Sequence, residues 1–140
     1  MPRFSTKFKQ RVISPPKYYY AIDTGLAAVN TPTPAPDHGC RLENAVLLHL
    51  RRLGESPTFG AMPNDWECDF VTPSLATPCC TRLIPANRTR ELRGLLQTST
   101  LPGATQGQPS ELLVLTLDQE GELQEQGVEM RGIPAWKWLD

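Results

Sequence analysis

The fold of this chain is decided by residues 40–71, which read CRLENAVLLHLRRLGESPTFGAMPNDWECDFV. Apolar residues recur there at the i, i+3, i+4 spacing that places them on one face of a helix, so we predict a helix over Arg41–Leu53. The residues of that face are Leu42, Ala45, Val46, His49, Leu50 and Leu53. Gly54 is expected to end the helix, because glycine accepts the positive φ that is common past a helix C-terminus.

A strand, Trp66–Val71, is predicted after this helix and an intervening loop. Alternation along a strand predicts two sets of side chains, with Cys68 and Phe70 on one face and Glu67, Asp69 and Val71 on the other. Glu67 and Asp69 then share a face, and Glu43, at the edge of the helix's apolar stripe, can meet them. The sequence therefore predicts a convergence of acidic side chains beside the core.

Composition is typical of a globular protein. The chain has 140 residues, of which 39% are hydrophobic and 21% charged; this is enough for one domain with a real core. The formal net charge of −1 gives no overall attraction to nucleic acid or membrane. Cations are nevertheless concentrated in a basic arm, residues 1–16, and just after it. They are Arg3, Lys7, Lys9, Arg11 and Lys17.

No membrane partner is expected, because no stretch approaches the roughly 20 apolar residues of a transmembrane helix. The N-terminus also lacks the apolar segment of a secretory signal. A cytoplasmic location is the default expectation.

The four cysteines form no C-x-x-C pair, and Cys79 and Cys80 are adjacent. A zinc site built from His38, Cys40 and one of these two would match no standard ligand spacing. We therefore predict reduced thiols that pack as small hydrophobes.

The remaining segments alternate between strand and helix patterns, which predicts a small mixed α/β domain. The predicted elements are a strand at Lys17–Ile22, a turn at Asp23 with a short helical turn at Leu26–Val29, a proline-rich connector at Asn30–Gly39, a loop at Glu55–Asp65, a short buried strand within Cys79–Ile84, a helix at Arg88–Gln97 capped by Asn87, a strand at Glu111–Leu117, a hairpin of Glu122–Glu125 and Gly127–Arg131, and a closing helix at Ala135–Leu139. Trp136 and Trp138 cannot share a helical face, so one of them is expected to pack and the other to be exposed.

Six segments, taken in order, carry a family pattern. They are PKYYYAIDTGL (residues 16–26), LENAV (42–46) with LRR (50–52), ECDFV (67–71), RELRGLL (90–96), LTLD (115–118) and IPAWKWL (133–139). Together they resemble the C-terminal domain of a family of prokaryotic AAA+-type ATPases, a domain of unassigned function related to the PD-(D/E)XK nuclease fold. The resemblance implies a restriction-endonuclease-like mixed sheet flanked by helices over residues 17–140.

In that family an ATPase domain and a winged-helix segment precede this domain. No G-x-x-x-x-G-K-[ST] motif occurs in this sequence, so no P-loop is available to bind ATP. The basic arm resembles the end of the preceding segment, and we expect a stand-alone remnant or fragment of a longer ancestor.

A nuclease of this class needs carboxylates around Mg²⁺, which lowers the pKa of the attacking water, and a lysine nearby. The resemblance places Glu43 and Asp69 at the helix and strand acid positions, with Glu67 as a neighbour. The next strand should carry Glu-x-Lys, yet no Asp, Glu or Lys lies between Phe70 and Arg90. We therefore predict a non-catalytic domain without a cofactor; the alternative is a Mg²⁺-dependent DNA nuclease that uses Glu43 and Asp69.

The candidate acids also have purely structural interpretations. Glu43 in a first helical turn would favour the helix dipole, and Asp69 could pair with Arg51, Arg52 or Arg82. His49 is expected to be a hydrogen-bonded core histidine rather than a base.

Two binding roles remain open. The basic residues of the first 17 positions, interleaved with Phe4, Phe8 and Tyr18–Tyr20, could contact phosphates and stack on bases of DNA. Alternatively, the domain docks a partner AAA+ ATPase or a second copy of itself, with the arm and the hairpin Glu122–Arg131 as edges.

Overall fold

The computed structural model describes residues 3–5, 20–30, 37–61, 66–100 and 111–140. The elements in chain order are β1 (Arg3–Ser5), α1 (Thr24–Asn30), α2 (His38–Arg52), β2 (Thr58–Ala61), β3 (Glu67–Val71), β4 (Leu75–Thr77), α3 (Pro85–Thr100), β5 (Glu111–Thr116), β6 (Gly121–Glu125), β7 (Val128–Pro134) and α4 (Ala135–Trp138). The predicted class, a small α/β domain with a mixed sheet and helices, is confirmed. None of the helices in these ranges has the length and apolarity needed to cross a membrane.

The strands form one sheet in the order β1-β2-β3-β4-β5-β7-β6. β2, β3 and β4 are an antiparallel meander, and β5 then pairs with β4 in parallel. Parallel neighbours need a crossover connection, which α3 provides here. β7 continues the parallel pairing beside β5, and β6 closes the sheet as an antiparallel edge.

The core has two halves, one on each face of the sheet. On one face α2 packs Leu42, Val46 and Leu50 in a cluster with Phe70, Leu113 and Leu115. On the other face α3 packs Leu92 and Leu95 in a cluster with Cys68, Val71 and Val114. β5 contributes to both clusters, which confirms the predicted strand with two buried faces.

Helix α2 begins three residues before its predicted start. The Asp37 side chain accepts a hydrogen bond from the Cys40 N–H at 3.0 Å and so acts as the N-cap. Gly54 follows the helix with a φ of +80°, as predicted. Leu53 was expected on the buried face but is 64% exposed, because it lies past the last helical turn as the C-cap; Leu47 is buried instead.

The segment at Tyr20–Ile22 was predicted to be a strand and is not one, while residues 17–19 lie outside the described ranges. The buried Asn44 side chain of α2 explains the difference. Its Oδ1 accepts from the Ala21 N–H and its Nδ2 donates to the Ala21 carbonyl, both at 2.7 Å. A side-chain amide therefore satisfies the backbone groups that a neighbouring strand would have paired.

Two further predictions about strands are wrong. The predicted loop Glu55–Asp65 contains β2, and the predicted strand within Cys79–Ile84 is replaced by β4, which ends at Thr77. After β4 only an isolated bridge, Cys79 to Leu115, continues the pairing.

Helix α3 begins at Pro85 rather than after Asn87. Asn87 lies inside the first turn of α3, and its side chain still bonds the backbone just before the helix. Its Oδ1 accepts from the Ile84 N–H at 2.8 Å and its Nδ2 donates to the Arg82 carbonyl at 2.9 Å. Proline suits the first helical position because its missing N–H would have no helical partner there.

Within the predicted basic arm, Arg3–Ser5 is a strand that pairs in parallel with β2. The other arm residues and Lys17 lie outside the described residues, as do the side chains of β1.

Candidate functional site

The site is organised by an irregularity in the pairing of β2 with β3. Thr58 faces Val71 and Gly60 faces Cys68, so the single residue Phe59 lies opposite two residues, Asp69 and Phe70. This two-against-one pairing is a β-bulge, a device that redirects side chains and occurs often near functional sites.

The bulge overturns the predicted alternation along β3. Cys68 and Val71 pack in the cluster beneath α3, whereas Phe70 packs in the cluster beneath α2. Cys68 and Phe70 therefore do not share a face, because the extra residue between the flanking pairs breaks the period of two.

Asp69 sits in the bulge, partly buried. Its Oδ2 accepts a hydrogen bond from the Cys79 N–H at 2.7 Å, which ties β3 to the chain after β4. Burial raises the pKa of Asp69 to about 7; the Cys79 N–H opposes this shift, and the nearby Glu43, Glu91 and Glu67 add to it. Both protonation states of this carboxyl are therefore populated near neutral pH.

Glu43, on α2, is also partly buried and faces the same group of acids. Its pKa is raised first by burial and then by the charges of Asp37, Glu67 and Glu91. The structure thus brings the three sequence-predicted acids, Glu43, Glu67 and Asp69, within electrostatic range of one another. With Glu91 they form what we call the acidic cluster.

Glu91 is the member that sequence reasoning missed. It lies on α3, is only 7% exposed, and its Oε1 accepts from Arg90 Nη2 at 2.6 Å and from Arg90 Nε at 3.2 Å. The available signal was its position: Glu91 is the first carboxylate after Asp69 in the sequence. The resemblance calls for a further acid on the strand after β3, whereas Glu91 lies on the crossover helix α3.

Arg90 places a positive charge beside this cluster. Its pKa is raised by the hydrogen bond to Glu91, by the charge of Glu91, and further by the charges of Glu67 and Asp69. The Arg90 side chain is 64% exposed while that of Glu91 is 9% exposed, so the guanidinium covers a buried carboxylate from the solvent side.

The residues present do not fit the Mg²⁺ that the resemblance implies. In the described part of the chain no three His, Cys, Asp or Glu side chains lie close enough together to hold a metal ion. One oxygen of Asp69 is taken by a backbone N–H, and the bonded oxygen of Glu91 by Arg90.

The thiols offer no substitute ligands. Burial raises the pKa of Cys80 to about 12 and that of Cys79 well above its ordinary value, so both are neutral thiols rather than the thiolates that bind metals. Cys68 is buried as well, which confirms the prediction for these three residues, whereas Cys40 is exposed.

The structure does not show the structural roles predicted for Glu43 and Asp69. Glu43 is the sixth residue of α2, so its predicted place in the first turn is wrong. No ion pair between Asp69 and an arginine is present among the residues described.

The ring of the partly buried His49 meets Trp138 edge-on, with centroids 4.9 Å apart. Trp136 is 60% exposed. The predicted division between the two tryptophans is therefore confirmed.

A second surface feature lies on and before α1. Asp23 caps this helix, since its Oδ1 accepts from the N–H groups of Gly25 and Leu26 at 2.8 and 3.0 Å. Leu26 and Val29, three residues apart and so on one side of the helix, are 63% and 84% exposed, and Ile22 just before the helix is 90% exposed. This predicted helical turn therefore presents apolar side chains to solvent.

Comparisons of the chain with protein-family models, with curated proteins and with solved structures find no match.

Proposed function

We propose that the chain is a non-catalytic, restriction-endonuclease-like domain, similar to the C-terminal part of AAA+-type ATPases, and that it acts as a protein-binding, regulatory module. The fold assignment is supported by the placement of Glu43 on α2 and Asp69 on the bulged strand β3. These are the two acid positions that the resemblance assigns.

The absence of catalysis is supported by how the acids are engaged. A divalent ion in a nuclease needs carboxylate oxygens that are free to coordinate it beside the substrate phosphate. Here Asp69 accepts from a backbone N–H and Glu91 from a guanidinium. The resemblance calls for Glu-x-Lys on the next strand, but β4 reads Leu-Ala-Thr. The neutral thiols of Cys79 and Cys80, which follow β4, cannot replace a carboxylate or a lysine.

The observation that carries the binding role is the apolar surface formed by Ile22, Leu26 and Val29. Large side chains that are 63–90% exposed, two on one side of a capped helix and one just before it, favour a partner that removes them from water. A short helix with one apolar side is suited to an apolar groove on another protein. An AAA+-type ATPase is the partner class that the resemblance implies.

Catalysis is tested by incubating the purified chain with supercoiled plasmid and Mg²⁺ or Mn²⁺, beside a Glu43→Ala/Asp69→Ala double variant. We expect no nicking by either protein above the buffer control. Metal-dependent nicking by the wild type that disappears in the double variant would establish the nuclease alternative and refute the proposal.

Binding is tested by capturing partners on the immobilised chain and then titrating the purified partner with Leu26→Glu. Leu53→Glu is the matched control, because Leu53 is 64% exposed and Leu26 63%. We expect Leu26→Glu to weaken the affinity about tenfold or more, as for a buried anchor of an interface, and Leu53→Glu to leave it unchanged.

The salt dependence of binding separates this role from DNA binding. An apolar interface should keep its affinity as salt increases, whereas phosphate contacts lose affinity steeply. A chain that binds labelled duplex DNA in a strongly salt-dependent way, with Leu26→Glu binding equally well, would contradict the protein-binding proposal.

A further inference from the structure

An open cleft lies beside the first turn of α3, where β5 and β7 approach their carboxyl ends. Its volume is about 220 Å³, and it is bordered by the helix, by the segment just before the helix, and by β5, β6 and β7. Pockets for drug-sized ligands usually occupy about 300–1,000 Å³, so this cleft fits a smaller molecule. Open α/β sheets commonly bind ligands beyond the carboxyl ends of parallel strands, and β5 and β7 are parallel.

Two glycines make room for the cleft. Gly121 of β6 lies opposite Gly132 of β7, and opposite residues of an antiparallel pair share a face of the sheet. This is the face of Met130, two residues before Gly132, which packs in the cluster beneath α3. A Cβ on Gly121 would meet no atom within 4 Å, and one on Gly132 would lie 3.5 Å from Leu123, at ordinary contact distance. The paired glycines therefore leave unfilled space between the sheet and α3.

The walls of the cleft are apolar and are held in place by hydrogen bonds. Leu83, Val114 and Leu123 line it, within the core cluster beneath α3. The Gln119 side chain fixes the position of Leu83, since its Oε1 accepts from the Leu83 N–H at 2.5 Å and its Nε2 donates to the Leu83 carbonyl at 3.2 Å. Thr116 Oγ1 in turn accepts from the Gln119 N–H and donates to the Gln119 carbonyl, both at 2.9 Å. The cleft is thus formed before any ligand binds.

Arg88 places an unmatched positive charge in this cleft. It precedes the buried Leu92 by four residues and so lies on the side of α3 that packs on the sheet. Arg88 is partly buried, yet no hydrogen bond or ion pair to its guanidinium is formed within the described part of the chain. On the same helix Arg90 and Arg93 each pair with a carboxylate. A partly buried guanidinium without such a partner favours an anion in the cleft.

The two carboxylates that border the cleft each lie beside a different cation. Glu120 pairs with Lys137 of α4, and Glu122 lies opposite Arg131 in the register of β6 with β7. Glu122 is also placed on the face of the sheet opposite to that of Gly121, because successive residues of a strand alternate. Neither carboxylate therefore takes the place of an external anion at Arg88.

We propose that this cleft binds a small monocarboxylate with a compact apolar body. Arg88 holds the carboxylate, and the body lies over the glycine pair against the three leucine and valine side chains of the walls. A guanidinium donates two parallel hydrogen bonds to a carboxylate. One guanidinium balances one negative charge, so a carboxylate suits the cleft better than a doubly charged phosphate ester. The inference goes beyond the proposed function and does not depend on the proposed protein partner.

The test is an NMR titration of the ¹⁵N-labelled full chain with benzoate, measured at the backbone amides of Gly121, Leu123 and Gly132. Three comparison molecules each lack one feature of the ligand: benzyl alcohol lacks the charge, acetate lacks the apolar body, and phenyl phosphate carries a second charge. We expect saturable shifts at the three amides with benzoate. The Kd of each comparison molecule should be about tenfold weaker or more, as for the loss of a charged hydrogen bond or of apolar burial.

Two variants locate the ligand. Arg88→Gln removes the cation and Gly121→Val fills the floor of the cleft, and each should weaken benzoate binding about tenfold or more. Arg88→Met is the second variant if Arg88→Gln does not fold. Arg82→Gln is the matched control, because the exposed Arg82 lies just before the helix and outside the lining of the cleft, and it should bind as wild type does.

Three results would overturn the proposal. The first is an absence of saturable shifts at the three amides with benzoate. The second is a neutral variant at position 88, or Gly121→Val, that binds benzoate as tightly as wild type does. The third is a comparison molecule that binds as tightly as benzoate. None of these results bears on the nicking or partner-binding experiments, since the titration needs neither plasmid nor partner.

Discussion

At the scale of single residues, Asp69 makes the stability of the fold depend on pH. Its pKa rises from 3.8 to about 7 on folding, so the folded state keeps a proton that the unfolded chain has already released. Stability therefore falls as the pH rises from about 4 to about 7, by at most about 1.4 kcal/mol per pH unit for one group.

Asp69→Asn should remove this dependence. The amide oxygen can still accept from the Cys79 N–H, and the side chain has no proton to lose. We expect a flatter profile of unfolding free energy against pH, and a variant more stable than wild type at pH 8, in urea titrations across the range. Asp118→Asn, the same change at an exposed site, should retain the wild-type profile. If Asp69→Asn kept the wild-type slope of unfolding free energy against pH, a group other than Asp69 would dominate the pH dependence.

The acids illustrate what residue types can and cannot predict. Glu43 and Asp69 could be selected from the sequence because each lies in an element with a clear hydrophobic pattern. The place of Glu91 beside them could not be predicted from its position in the sequence alone, because it depends on α3 lying across β3, where Gly94 of the helix contacts the backbone of Glu67. The bulge at Asp69 could not be predicted for a related reason, because the register of a strand is set by its pairing with the neighbouring strand.

At the scale of elements, the close contact between α3 and β3 leaves no room for a larger side chain at Gly94. Gly94→Ala would place a Cβ 2.3 Å from the carbonyl oxygen of Glu67, and a backbone atom in a paired strand cannot move aside as a flexible side chain would. We expect a loss of at least about 1–3 kcal/mol of unfolding free energy, as for other overpacked positions, measured by urea denaturation.

Gly121→Ala is the matched control for this prediction. Gly121 lies in the edge strand β6, and a Cβ there meets no atom within 4 Å. Its unfolding free energy should stay close to that of wild type. A Gly94→Ala variant as stable as Gly121→Ala would mean that α3 can lift from β3 at little cost.

Elements with a strong period were predictable, and those without one were not. α2 and α3 have apolar residues at helical spacing, and β5 contains the continuous run Leu112–Leu115. Each of these elements therefore has enough buried residues to decide its conformation. β2 is Thr-Phe-Gly-Ala, four residues with one large apolar side chain and a glycine, so local preference says little about it. It is a strand because β1 and β3 flank it.

At the scale of the whole molecule, the two edges of the sheet differ in character. β6, at one edge, carries Glu122 and Glu125, and charged side chains on an edge strand discourage pairing with other chains. β2, near the other edge, is largely apolar: Phe59 is 2% exposed and Ala61 6% exposed. Its outer side is paired by the three residues of β1, with Arg3 opposite Phe59 and Ser5 opposite Ala61.

Deletion of residues 1–5 should therefore expose β2 as an apolar edge. Unpaired backbone groups on such a strand are a template for another chain, so we expect the truncated protein to self-associate with rising concentration and to unfold at a lower Tm. Light scattering coupled to size exclusion, with a thermal melt, measures both effects. Deletion of residues 1–2 leaves β1 in place and should match wild type. A five-residue deletion that stays monomeric with an unchanged Tm would show that β1 adds nothing to the sheet, and that β2 is protected by its own buried side chains.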